Sequence, residues 1–506
     1  MTSSTIGVLV VIILYLAMML IIGYKYSKTN KSTGDFYLGG RKLGPFVTAM
    51  STEASDMSSW LLMGLPGVAL ASGIAEPFWT ALGLGVGTYL NWLIVAKKLR
   101  RYSVATGSIT VPDFFADRFK SKIILGLAAL TIVIFFIPYT ASGFVACGNL
   151  LSSLFGINYV TGMIVSAVVI VAYTSMGGFL AASTTDFIQS IFMSIALVIM
   201  VVFGIKLAGG LNVVMENAGN TEWMFSLTKT LSGGEVKPYG TLTIISTLAW
   251  GLGYFGMPHI LLRFMASKDE SQITLSRRIA TIWVFIAMAV AIFIGVIGYS
   301  LANGVIEVPA GSEQNILIYT ADLIKDNGFI LMIFAGIVLS GIFACTMSTA
   351  DSQLLAASSS VSENILKDVF GIKLSEKATM IAARVTVLVI AVIAVILASN
   401  PESKVFEIVS FAWAGFGAVF GPIMLAALFW RRANKYGAVS GMVVGGVMVF
   451  VYKFVIRVQF AGSILDVYEL LPAFLLGGIV LIVVSLLTPE PEKEITDTFD
   501  KVTADK

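Results

Sequence analysis

The stretch Ser51-Thr52-Glu53-Ala54-Ser55-Asp56-Met57-Ser58-Ser59-Trp60-Leu61-Leu62-Met63-Gly64-Leu65-Pro66-Gly67 decides how this chain is read. It lies within an otherwise apolar run and sets a carboxylate, Asp56, among hydroxyls, glycines and a proline. A charge at membrane depth is costly and marks an ion or substrate path. Backbone that leaves the helix there survives only where protein buries it or where it lines a cavity. Its freed carbonyls are then hard oxygen ligands suited to a small cation.

Outward from that stretch, the composition is that of a membrane protein: 57% of the 506 residues are apolar and only 12% are charged. No soluble core needs so much apolar surface. A hydrocarbon core of about 30 Å takes roughly 20 apolar residues per helix. About thirteen segments qualify: 6–24, 45–71, 77–96, 123–154, 159–176, 187–208, 241–261, 280–302, 328–358, 380–399, 405–430, 437–456 and 470–488. The expected fold is therefore an all-α integral membrane protein of about thirteen transmembrane helices. The first segment follows uncharged Thr2 to Thr5, lacks a small-residue cleavage site, and reads as a retained helix.

Basic residues set the orientation, because cytoplasmic loops collect them. With the N-terminus outside and the C-terminus cytoplasmic, 26 of the 33 Lys and Arg residues fall inside. They include Lys25, Lys28, Lys31, Arg41 and Lys42, then Lys97 to Lys122, then Arg263, Lys268, Arg277 and Arg278. Arg384 belongs to a later inner cluster, Arg431, Arg432 and Lys435 to the next, and Lys493, Lys501 and Lys506 to the tail. The net charge of +3 reflects this bias and gives no case for nucleic acid.

Other chemistry has little material here. Cys147 and Cys345 fall in separate spans, where a thiol behaves as a small hydrophobe. The one histidine, His259, reads as a hydrogen-bonded structural residue rather than a proton relay. No Gly-x4-Gly-Lys-Ser/Thr loop is present, which disfavours transport driven by bound ATP. No organic cofactor and no enzymatic step are expected.

The second span is interrupted around Ala54 to Pro66, and five spans later the seventh is interrupted at Trp250-Gly251-Leu252-Gly253-Tyr254-Phe255-Gly256-Met257-Pro258-His259. Paired breaks in two five-helix halves point to an inverted-repeat transporter with a central site. The bland reading is that such glycines only let helices pack closely. A third element, in the ninth span, is Cys345-Thr346-Met347-Ser348-Thr349-Ala350-Asp351-Ser352. Single hydroxyls in membrane helices usually bond back to their own carbonyls. Here the cluster is denser than that needs, and Ser348 and Thr349 offer two hard oxygens for Na+.

Several long strings resemble the sodium/solute symporter family, and within it the sodium/proline symporters. They are Gly39 to Phe46, Ala54 to Ser58, Leu61 to Gly67, Gly177-Gly178 with Thr185 to Gln189, Trp250 to Gly256 with Pro258-His259, and Met347 to Thr349. The resemblance covers nearly the whole chain. It implies a LeuT-type 5+5 inverted-repeat core with one helix before it and two after it. It implies a Na+ site from the carbonyls of Ala54, Met57 and Cys345 and the hydroxyls of Ser348 and Thr349, with Cys345 where the family has alanine. It also implies that Asp56 and Asp186 serve ion coupling. For L-proline it implies Ser58, Tyr139, Trp250, Tyr254 and Pro258.

Proline is a compact zwitterion, and those residues suit it. Its ring fits an aromatic wall, its ammonium can face π-surfaces, and its carboxylate can meet half-helix amides or bound Na+. The bland alternative is that Tyr139 and Trp250 merely pack. Arg41 and Arg384 lie near the inner face, and charge topology alone explains both. Glu53 departs from the family pattern, where a small or neutral residue stands. If helical, it shares a face with Asp56 and either carries a proton or meets a second cation; a broken backbone would turn it to an outer cavity instead.

The expected organisation is a first helix and loop over 1–44, a first five-helix repeat over 45–208 and an extracellular loop over 209–240. A second repeat then runs over 241–430, two further helices over 431–489, and a charged cytoplasmic tail over 490–506. The expected function is Na+-coupled import of L-proline across a plasma membrane, bacterial in type, with the lipid bilayer as the surroundings and no obligatory protein partner. Its competitors are a sodium symporter for a sugar, vitamin or other amino acid, and a membrane sensor. The short charged tail holds no catalytic module and argues against the sensor.

Overall fold

A backbone in hydrocarbon must bond to itself, so each long apolar run closes into a helix. The computed structural model describes residues 2–28 and 32–504, with only the backbone of Thr33. Lys31 and Lys506 of the charge count lie outside the described residues. Among these, ten helices are long and apolar enough to cross a membrane, and the bent pair Thr241–Gly256 and Pro258–Ala266 makes an eleventh.

The expected count of thirteen is reached when two more segments are counted by their breaks. The helix Tyr159–Leu207 has 49 residues, which at 1.5 Å per residue is more than twice the thickness of a hydrocarbon core. Gly178 divides it with φ 64° and ψ −167°, a backbone state that only glycine adopts freely. The other segment is Pro45–Asp56, followed by a wide turn at Trp60–Gly64 and the short helix Leu65–Ser72.

The break in that second span is narrower than expected. Ala54 and Asp56 are still helical and Pro66 already sits in the first turn of Leu65–Ser72, so the departure from regular α-helix runs only from Met57 through the wide turn Trp60–Gly64. Proline is tolerated in a first turn because its missing N–H has no partner there. Ser58 has φ +25°, a strained value for a residue with a side chain, and such strain gathers at functional sites.

The seventh span breaks where expected. A tight 3-10 run covers Ala249–Gly256, Met257 is extended, and Pro258 opens the next helix at an angle of 45°. Its glycines also pack: a Cβ on Gly251 would strike the backbone of Gly83 and Gly87 on the helix Ala75–Leu90. The packing reading and the broken-helix reading therefore both hold for this stretch.

Two basic residues assigned to inner loops are instead buried. Arg118 donates to the carbonyls of Ala427 at 2.9 Å and Trp430 at 3.2 Å, and Arg263 lies within Pro258–Ala266. Each finds acceptors in the fold, which is the condition for burying a guanidinium. Segments expected as plain loops also carry structure. Val111–Phe119 is a short helix closed by a Thr110–Asp113 capping box, and the 209–240 loop holds the helix Leu211–Gly219 and a hairpin of Lys229–Ser232 with Glu235–Pro238. In the tail, Lys493–Thr503 is helical and buries Ile495, Phe499 and Val502, because its apolar residues recur at helical spacing.

Candidate ion and substrate site

Three elements meet at the second-span break: Pro45–Asp56, the 3-10 run Ala249–Gly256 and the helix Phe329–Ser359. The Ser348 hydroxyl donates across helices to the Ala54 carbonyl at 2.7 Å and lies 3.2 Å from the Cys345 carbonyl. Thr349 donates back to the same Cys345 carbonyl at 3.1 Å. Four of the oxygens expected to ligate an ion are thus joined by direct hydrogen bonds. Met57 caps the helix beside them, but its carbonyl accepts from the Leu61 N–H at 3.2 Å. Among the neighbouring hydroxyls, Thr346 and Ser352 bond back along their own helix, so Ser348 alone of this cluster donates to another element.

Asp56 is fully buried. Its Oδ2 accepts from the Tyr254 hydroxyl at 2.5 Å, its carbonyl accepts from the Tyr139 hydroxyl at 3.2 Å, and its Oδ1 has no partner. Two of the expected substrate aromatics therefore converge on the helix end that carries the charge. Ser58 is buried at the break, with its hydroxyl 3.4 Å from the Trp60 N–H.

Trp250 stands apart from that pair. Its indole stacks on Tyr468 at 5.1 Å and 22°, and packs against Phe406 at 5.3 Å and Trp413 at 6.2 Å. Trp413 joins the two groups: its indole N–H donates to the Trp250 carbonyl at 2.7 Å and the Tyr254 ring meets it edge-on at 5.1 Å. Pro258, also buried, borders a cavity of about 10 Å³ with Thr110, Ile132, Ala356 and Ser360, room for about one water. Every expected substrate residue is buried.

Asp186 sits beside this site, one helical turn along from it at Ser51, rather than in it. Its Oδ2 accepts from Ser51 at 2.7 Å and from Arg263 at 2.7 Å, and both charged side chains are at most 1% exposed. Arg263 also donates to Ser51 at 2.6 Å, to the His259 carbonyl at 2.7 Å and to Ser352 at 2.6 Å. Ser352 bonds Asp351 at 3.0 Å, and Asp351 takes the Tyr173 hydroxyl at 2.5 Å. A buried pair whose remaining donors are satisfied holds its geometry, whereas removing one partner is strongly destabilising.

The remaining candidates resolve differently. Glu53 is helical and fully buried, with Oε1 accepting from Thr88 at 3.3 Å and Trp92 at 3.1 Å, so it does not turn to an outer cavity. Arg41 donates to Ser103, Met265 and Ser108 and clamps the turn that follows Gly39 and Gly40. Arg384 is exposed on the helix Glu376–Leu397. His259 does not fit the hydrogen-bonded reading at its ring. Neither ring nitrogen makes a hydrogen bond of good geometry, the Ser55 backbone is its near polar neighbour, and its faces meet Phe136 at 5.6 Å and Tyr139 at 6.4 Å.

Sequence reasoning missed Arg263, Tyr173, Trp413 and Tyr468. For Arg263 a signal existed, since it is flanked by Ile260-Leu261-Leu262 and Phe264-Met265-Ala266, too apolar for a loop. The others join through tertiary contact alone.

The sequence pattern of the sodium:solute symporter family matches residues 36–445. The osmoregulated proline transporter OpuE of Bacillus subtilis is 41% identical over 95% of this chain and 94% of its own. The sodium/proline symporter of Haemophilus influenzae is 41% identical over 97% of each chain, and that of Escherichia coli is 40% identical over 98% of this chain and 96% of its own. The fold matches that of a Na+-coupled sialic acid symporter solved substrate-bound and outward-open, with TM-score 0.79 and 20% identity over 96% of this chain and 99% of that one. It also resembles a nucleobase-cation-symport-1 family transporter solved closed with bromovinylhydantoin bound, with TM-score 0.56 and 15% identity over 94% and 99%. The fold is the LeuT-type arrangement of Na+-coupled transporters. Broken helices facing a hydroxyl-rich span, together with matches over nearly the full length, establish that the chain belongs to the sodium:solute symporter family.

Proposed function

We propose that this chain is a secondary active importer that couples inward movement of Na+ to uptake of L-proline by alternating access. The observation that carries the reading is the meeting of Ala54, Asp56, Ser348 and Tyr254 at the second-span break. The relatives named as sodium/proline symporters support the substrate. Sodium is the cargo ion, held by the carbonyls of Ala54, Met57 and Cys345 and the hydroxyls of Ser348 and Thr349. A carbonyl ligand tolerates cysteine in place of alanine. Asp56 adds the charge that makes the site selective for a cation, and Asp186 serves the inward route of the ion.

Proline binds next to it, its ring and ammonium against Tyr139, Trp250 and Tyr254, with Ser58 and Pro258 at the helix breaks supplying polar backbone. Opening requires the aromatic cluster of Trp250, Phe406 and Tyr468 to part from one side while the Asp186–Arg263 network holds the other. No covalent step and no organic cofactor enter the cycle. The chain crosses a bacterial-type plasma membrane in thirteen spans, N-terminus outside and C-terminus cytoplasmic, and needs no partner protein. One charge moved down ~100 mV is worth about 2.3 kcal/mol, and a tenfold Na+ gradient adds about 1.4 kcal/mol. At one-to-one coupling these sustain roughly 500-fold accumulation.

Counterflow of radiolabelled proline in proteoliposomes, with Na+, Li+ or K+ as the only cation, tests the reading. Exchange is expected with Na+, competed by unlabelled proline and not by sugars or vitamins, and Asp56→Asn is expected to remove most of the Na+ stimulation. Equal exchange in K+, or unchanged Na+ dependence in Asp56→Asn, refutes the ion site. Competition by another solute class refutes proline.

A further inference from the structure

The Trp250 indole, which the proposed function sets against proline, is 4% exposed and closed in by three rings. Tyr468 stacks on it at 5.1 Å and 22°, Phe406 tilts by 45° at 5.3 Å, and Trp413 lies at 6.2 Å and 33°. Stacking at such a distance covers an aromatic face and is favourable beyond the area it buries. A substrate ring that is to lie on the indole must therefore take the place of a ring already there.

The three neighbours are not equally free to leave. Trp413 is 1% exposed, donates its indole N–H to the Trp250 carbonyl at 2.7 Å, and lies so close to Gly253 that a Cβ there would strike its ring. Phe406 sits in the first turn of Val405–Phe429 and does not lie flat on the indole. Tyr468 does lie flat, is only partly buried, and beyond the stack is held by its hydroxyl, which donates to the Ser410 carbonyl at 2.7 Å. The backbone that carries it is pinned. The Tyr468 N–H donates to the Ser246 hydroxyl at 2.5 Å, on the helix Thr241–Leu248. Next along, Glu469 is 0% exposed and held by Arg457 at 2.7 Å and Lys453 at 3.5 Å, while Arg457 also reaches Asp466 at 3.3 Å. Separating a buried carboxylate from its cations is costly, so the chain does not swing out here as a lid. Rotation of the Tyr468 side chain alone uncovers the indole.

We propose that Tyr468 is a stand-in for the substrate: its ring covers the face of Trp250 that the proline ring takes, and proline binds by displacing it. The last span thereby contributes a residue to the substrate site. Displacement gives up the stack and the Ser410 bond, so both subtract from the affinity for proline. The sign of the effect follows: a residue that only walls the pocket adds to affinity, whereas one that yields its place to the substrate lowers it.

The inference rests on the reading that proline meets Trp250. Full-length protein in lipid nanodiscs at saturating Na+ is titrated with labelled proline, and 3-fluorotyrosine in place of Tyr468 reports on the ring by fluorine NMR. Tyr468→Ala is expected to lower half-saturating proline about two- to tenfold, the worth of one aromatic stack. Tyr468→Phe keeps the ring, loses the Ser410 bond, and is expected to lower it less; with the fluorine probe it decides the question if Tyr468→Ala does not fold. In a Trp250→Ala background, Tyr468→Ala should change nothing further, because the face it covers is gone. The fluorine resonance should move to a water-like position when proline joins Na+, and stay in place with Na+ alone. A resonance that does not move, or that moves with Na+ alone, overturns the displacement. Weaker proline binding in Tyr468→Phe and Tyr468→Ala overturns it too, by showing that Tyr468 holds the substrate. Absence of proline binding in the unaltered protein, or unchanged binding in Trp250→Ala, refutes the proposed function or its placement of Trp250, an outcome distinct from these.

Discussion

Ser348→Ala removes one oxygen from the proposed sodium site while leaving the helix that carries it intact. That hydroxyl is fully buried and donates to the Ala54 carbonyl at 2.7 Å. A polar contact to a charge in such surroundings is worth about 1.5–3 kcal/mol. The variant also loses the Ser348–Ala54 bond in the ion-free state, about 0.5–1.5 kcal/mol, and that loss raises the reference from which sodium binds. The net cost to binding is therefore about 1–2 kcal/mol, a rise of roughly 5- to 30-fold in half-saturating Na+.

Ser358 supplies the control. It lies on the same helix, is equally buried, and its hydroxyl donates back to the Leu355 carbonyl at 3.0 Å, with Tyr37 rather than any proposed ion ligand as its other polar neighbour. Ser358→Ala should shift half-saturating Na+ by less than about twofold, ~0.4 kcal/mol. The measurement is initial uptake of labelled proline into proteoliposomes across a Na+ series, with protein amount normalised. Equal shifts at both positions would mean that the hydroxyls serve helix packing, and the ligand assignment would be wrong.

Trp250→Ala should raise half-saturating proline roughly ten- to a hundredfold, since an aromatic partner with its cation–π contribution is worth about 1–3 kcal/mol. An unchanged proline affinity in uptake assays would leave Trp250 a packing residue of the cluster with Tyr468 and Phe406. Arg263→Ala strands the buried Asp186 charge and should cost about 3–5 kcal/mol, read as a large fall in melting temperature in detergent. Adding Asp186→Ala should recover part of that loss, and a double variant no more stable than Arg263→Ala would show that the two charges are not coupled. For topology, Ser232→Cys and Asn400→Cys should react with an impermeant thiol reagent from outside intact cells, while Lys435→Cys should not. Labelling of Lys435→Cys would reverse the orientation of every loop after the miscounted span.

The sequence made the membrane class and the broken spans legible for one physical reason: both are one-dimensional signals. Apolar runs announce spans, and glycine, proline and hydroxyl clusters announce where helical bonding fails. It was less informative wherever a charge finds its partner through space. Arg263 counts as a loop cation along the chain, yet in three dimensions it satisfies Ser51, Asp186 and Ser352 on three other stretches of chain. Glu53 likewise has no readable direction until Thr88 and Trp92 close over it. Trp413 and Tyr468 enter the aromatic cluster from the C-terminal third of the chain, where no motif marked them.

The same contacts give the proposed ion site a bearing on both broken spans. Tyr254 to Asp56 ties the two broken spans at the level of the break, and Arg263 to Ser51 ties them again through the buried network beside Asp186. Ser348 and Ser352, one turn apart on the helix Phe329–Ser359, reach one tie each: the first at the Ala54 carbonyl beside the break, the second at Arg263. A cation at the proposed site would compete for the Ala54 carbonyl, which already accepts from Ser348 beside the Tyr254–Asp56 tie. Because Ser352 on the same helix bonds Arg263, a change in packing of that helix against the second span would reach the Asp186–Arg263 pair as well. Interfaces of this kind move between discrete packings rather than deforming smoothly. Strain held at Ser58, with φ +25° between the two halves of the broken span, puts the compliant point beside the proposed ion site.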